Sequence, residues 1–187
     1  MTNKLSNILR NKSFPTKRSI LFVYSIIAYL VYSWTFITFF YKLPSWINYL
    51  KFNEIAVIFA YSMSTDAFES LLFLGEIILL YYLLSPVLFK YDFQIHGTWL
   101  AISFLGTLMV YFLPIFKSIQ MTIAPGFWIP FSILFAILFS IVPTYVKFFR
   151  TVAIFLSERT TIFFWIFSLL SIVSLLVLGI RFLVLGH

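Results

Sequence analysis

The chain has 187 residues, of which 62% are hydrophobic and 10% charged, against roughly 45–50% and about 25% in an average soluble domain. So few charges cannot cover the surface of a soluble fold of this size. That excludes a soluble globular enzyme, a disordered tail and a nucleic-acid-binding domain, and points to an all-α, polytopic integral membrane protein held as a single membrane domain over residues 1–187. The net charge of +7 is concentrated locally: Lys4, Arg10, Lys12, Lys17 and Arg18 lie in the first 18 residues. Such a cluster beside a span reads as a cytoplasmic anchor to anionic headgroups, at about 1 kcal/mol per cation near the surface. There is no cysteine, so no disulfide, thiolate nucleophile or Cys-ligated metal is available.

A membrane span needs about 20 mostly apolar residues. The first is expected over residues 19–41. It is too long for the apolar region of a signal peptide, and no small-x-small site follows it. Residues 42–54 are too polar to span. Pro44 suits a first helical turn, with Ser45, Asn48 and Lys51 on one face and Trp46, Ile47 and Leu50 on the other. This pattern predicts a short interfacial helix.

The second span, residues 55–88, would be about 51 Å long as one helix, against a hydrocarbon core of about 30 Å. The polar run at 62–66 is its expected break or interface crossing, and Pro86 marks its far end. The third and fourth spans fall at 98–119 and 127–146, separated by Pro125 and Gly126. Residues 147–159, with four charges, read as an interfacial elbow before a fifth span at 160–185. With the N-terminus inside, nine cations lie on inner segments and four on outer ones. The positive-inside rule then places the N-terminus in the cytoplasm and the C-terminus outside a plasma or inner membrane. Trp46, Trp99, Trp128 and Trp165 fall at span ends, as an aromatic belt would, while Trp34 lies deeper. No GxxxG motif is present, so close helix approach through that motif is not expected.

Three acids on the second span carry the most information. At about 100° per residue, Asp66, Glu69 and Glu76 fall within about 80° of one another. Ser62 and Thr65 lie on the same side, giving an acidic, hydroxyl-lined stripe with Glu76 deepest. An ionised carboxylate at mid-bilayer costs about 2.5–3.5 kcal/mol, and protonating a Glu at pH 7 costs about 3.7 kcal/mol. The surroundings therefore decide the charge, as an ion or proton pathway requires. The structural alternative pairs Asp66 or Glu69 with Arg181 or Lys117, and hydrogen-bonds Glu76 across the bundle. Ser168, Ser171, Ser174 and Arg181 form a polar arc on the last span that suits such contacts.

His96 and Asp92, four apart in an inner loop, do not by themselves make a metal site. Zinc-protease, P-loop and nucleophile-elbow motifs are missing. No metal, cofactor or catalytic residue is assigned. Two functional classes follow. One is a non-enzymatic membrane component, either a small transporter using the stripe or an accessory subunit packed against other membrane subunits. The other is an intramembrane enzyme acting on a lipid or lipid-linked substrate, with Glu69, Glu76 or His96 as acid or base.

Overall fold

The computed structural model describes residues 15–84, 93–112 and 125–185. Among them the protein is all-helical, with five helices and no strand. These are α1 (Lys17–Trp46), α2 (Phe52–Leu84), α3 (Phe93–Phe112), α4 (Pro125–Tyr145) and α5 (Lys147–Leu185). Four of them, α1, α3, α4 and α5, are long and apolar enough to cross a membrane, as a multi-pass membrane protein requires. The fifth, α2, carries Asp66, Glu69 and Glu76 within its apolar stretch.

The helices alternate in direction. Helices α1 and α2 run antiparallel, with Phe39 and Phe59 rings 5.1 Å apart near one end and Tyr24 and Ser70 hydroxyls 3.2 Å apart nearer the other. Gly97 beside Val23 and Phe112 beside Trp34 make α3 parallel to α1. Trp128 donates to the Thr107 carbonyl at 3.0 Å, and His96 Nδ1 donates to the Ser140 carbonyl at 2.7 Å, so α4 returns along α3. Helix α5 runs with α1, Tyr24 against Phe164 and Tyr32 stacked on Phe167 at 4.5 Å. Val23, Ile26, Ile27, Ile77, Leu100 and Leu105 form the largest buried cluster, where α1, α2 and α3 meet.

The segmentation differs from the sequence expectation in three places. The short interfacial helix expected over 42–54 is absent, because α1 continues through Pro44 to Trp46. Pro44 sits in the last turn of α1, and the Asn48 side-chain amide donates to the Pro44 carbonyl at 3.2 Å, satisfying one of the carbonyls left free at a helix C-terminus. A short turn then leads to α2, where the Lys51 amide donates to the Glu54 carboxylate at 2.8 Å, the backward arm of a capping box.

The break expected at 62–66 is also absent. Ser62, Ser64 and Thr65 each donate to the carbonyl four residues back, at 2.8–3.0 Å. Polar side chains satisfied in this way leave the helix continuous. For the same reason the elbow at 147–159 and the last span are one 39-residue helix. Thr160 and Thr161 bond to their own helix at 2.9 and 3.1 Å, and no Pro or Gly interrupts residues 147–178. At 1.5 Å per residue α5 is about 58 Å long, so it extends well beyond a hydrocarbon core of about 30 Å. The expected spans at 55–88 and 98–119 end outside the described residues.

Candidate functional site

The acidic stripe straddles the edge of the α1–α2 contact, and its 80° width decides where each acid goes. Asp66 faces α1 and is 4% exposed. Its Oδ1 accepts a 2.8 Å hydrogen bond from the Thr35 hydroxyl. Its Oδ2 is buried and has no hydrogen-bond partner among the described residues. Buried polar atoms without partners are uncommon in native proteins, and a bound ion is one way to satisfy them.

Asp66 lines a groove of about 470 Å³ between α1 and α2. The polar groups in that groove are Thr35, Thr38, Ser62, Thr65 and Glu69, with Lys42 at its α1 end. Trp34, Phe39, Trp46 and Tyr61 form its aromatic walls. Trp34, Thr35 and Glu69 also line a second space of about 360 Å³, bounded by Val31, Phe73 and Leu105. The two spaces share a wall and together make one cleft running from the end of α1 toward α3. Among the described residues, neither Lys42 nor any other cation forms an ion pair with Asp66 or Glu69. The cleft thus holds two carboxyl groups against one ammonium, and one buried carboxyl oxygen has nothing to bind.

The chain matches no protein family, no curated protein and no solved structure. What the cleft can do follows from its own chemistry.

Glu76 is not in this cleft. It is exposed on a separate groove between α2, α3 and α4. Arg181 is exposed near the end of α5, and no ion pair joins it to Asp66 or Glu69 among the described residues. Lys117 lies outside the described residues, as do Lys4, Arg10 and Lys12. Lys17 and Arg18 are exposed at the start of α1, with the Arg18 guanidinium 5.3 Å from the Phe22 ring. Asp92 is not described. His96 is fully buried, its Nδ1 on the Ser140 carbonyl, and it lines neither groove. No three His, Asp or Glu side chains come together as metal ligands among the described residues.

Sequence reasoning missed Thr35 as the partner of Asp66. Its signal was weak: a threonine one residue from Trp34, the single tryptophan off the expected belt. Two belt tryptophans also have inward roles. Trp99 is 9% exposed and donates to the Phe149 carbonyl at 2.9 Å, while Trp128 donates to Thr107. On α5, Ser171 does meet its neighbours: it pairs with the Tyr32 hydroxyl, and its own hydroxyl lies 3.3 Å from the Met63 carbonyl.

Proposed function

We propose that this protein is a non-enzymatic membrane component that binds a monovalent cation in the α1–α2 cleft, as a small transporter or as the ion-handling subunit of a larger assembly. The observation that carries this reading is the buried, unpartnered Oδ2 of Asp66 in a cleft with one more carboxyl group than ammonium. An unsatisfied carboxyl oxygen at membrane depth costs several kcal/mol, and polar groups there are characteristically functional. A cation at Oδ2 would satisfy it, with the Thr38, Ser62 and Thr65 hydroxyls that line the same groove as further oxygen donors.

The test is proton, Na+ and K+ flux into liposomes holding the full chain. Asp66→Asn keeps the shape and the Thr35 contact but cannot carry the charge. Flux in the wild type and its loss in a folded Asp66→Asn protein support the reading. Wild-type flux in that variant, or no cation-dependent change in the flux or thermal stability of the wild-type protein, overturns it.

The reading includes α2 as a fifth span, since it packs against α1, α3 and α5, three of the four apolar helices. With the N-terminus cytoplasmic and Lys17 and Arg18 on anionic headgroups, five spans put His187 outside. A topology reporter fused after His187 is then active only on the outer side. Activity in the cytoplasm would leave α2 outside the membrane or reverse the orientation.

A further inference from the structure

The groove at Glu76 is the counterpart of the cleft in chemistry and in exposure. It is a space of about 410 Å³ whose other lining is apolar, including Phe73, Leu80, Leu100, Phe104 and Ile133. Helix α3 runs from residue 93 to 112 and α4 from 125 to 145, so Leu100, Phe104 and Ile133 place Glu76 near the middle of both. Its carboxyl has no hydrogen bond or ion pair among the described residues. The adjoining surface is apolar and open: Leu72 and Leu79, one turn either side of Glu76, are 68% and 59% exposed. Gly75 is exposed, and a Cβ built there would touch nothing within 4 Å. Small residues of this kind let a second helix backbone come close in a membrane.

Lipid chains can fill the apolar volume, but they leave a mid-depth carboxyl without a polar partner. A second copy of this chain does not supply one from its described residues. Its described cations sit at or near helix ends except Arg159, which is inside α5 but about level with the start of α3, where the neighbouring Ser157 accepts from Gln94 at 2.7 Å.

We propose that this groove receives a membrane-spanning helix of another protein that carries a Lys or Arg near the middle of its span, with that cation on Glu76. The helix body fills the apolar groove, Gly75 permits close approach, and the cation supplies the missing polar partner. The groove adjoins the Asp66 cleft at Phe73 but shares no acid with it, so either proposal stands or falls alone.

The probe is a model peptide of about 23 residues, a Leu/Ala helix with one central Lys, compared with the same helix carrying Leu there. The absence of native cysteine lets the full chain be labelled at one site, as Tyr145→Cys, for energy transfer in phosphatidylcholine liposomes. The Lys peptide is expected to associate with the protein at about a tenfold lower mole fraction than the Leu peptide. Glu76→Gln should erase that preference, and Ile133→Trp, which fills the groove while keeping the acid, should erase it too. Equal association of the two peptides, or a preference that survives Glu76→Gln, overturns the proposal. So does a preference that survives Ile133→Trp, since the cation would then be meeting Glu76 without the groove. Self-association of the full chain that depends on Glu76, with no response to the Lys peptide, overturns it as well and assigns the groove to a second copy.

Discussion

On one side of α2, α1 lies close enough to bury Asp66 and to give it the Thr35 hydroxyl. Ten residues on, about 15 Å along the helix, none of the described residues covers Glu76, and its carboxyl faces an open apolar groove. The two acids share a helix and differ by about 80° in direction. Their environments differ because α1 covers one edge of the stripe and stops covering it before the other. A polar side chain on a membrane helix is therefore defined less by its depth than by the neighbour that covers it. The covered acid, with its unpartnered oxygen, is where we propose a small ion. The open acid, in its apolar groove, is where we propose another protein.

The largest expected effect separates the two acids directly. Asp66→Asn should abolish cation flux in liposomes, while Glu76→Gln should leave it within about twofold of wild type, a change of less than about 0.5 kcal/mol. Equal loss in both variants would join the acids into one pathway along the stripe and remove the distinction between them.

A smaller effect tests what covers Asp66. Thr35→Val keeps the shape of the side chain and deletes the hydroxyl that donates to Oδ1. Leaving a second buried carboxyl oxygen without a donor should cost about 1–3 kcal/mol, read as thermal unfolding in detergent. Added cation at the carboxyl should recover part of that loss. Stability equal to wild type would show that Thr35 is not what holds Asp66.

The membrane class and most of the helices were legible in the sequence, because an apolar stretch of about 20 residues matches the thickness of a bilayer and few soluble folds can bury it. Helix boundaries were less so. The polar run at 62–66 reads as a break and the charged one at 147–159 as an elbow, yet the hydroxyls in and beside them bond to their own helices. That is a local geometric choice that composition does not show. The acidic stripe was legible as a stripe, but an 80° arc does not say which edge a neighbour will cover. Among the described glycines, the tight approach is at Gly97, outside any GxxxG: a Cβ there would lie 3.0 Å from a Val23 methyl. The partner in that contact is on another helix, so no spacing within α3 could reveal it.

The smallest expected effect concerns the counter-charge that the stripe invites. Arg181 on the last helix and Glu69 on α2 could pair only if α5 turned its exposed face toward the cleft. Instead α5 presents Phe167 and Ser171 to α1 and α2 and leaves Arg181 exposed, ten residues beyond Ser171 and about 15 Å further along. A long basic side chain in that position extends toward the headgroups. Arg181→Ala and Glu69→Ala should therefore act independently. The double variant should lose stability equal to the sum of the single losses, within about 0.3–0.5 kcal/mol, as distant sites without shared partners do. A double variant that loses clearly less than the sum would mean that the two charges meet in the membrane. The cleft would then already hold its counter-charge, and Asp66 would have less need of an ion from outside.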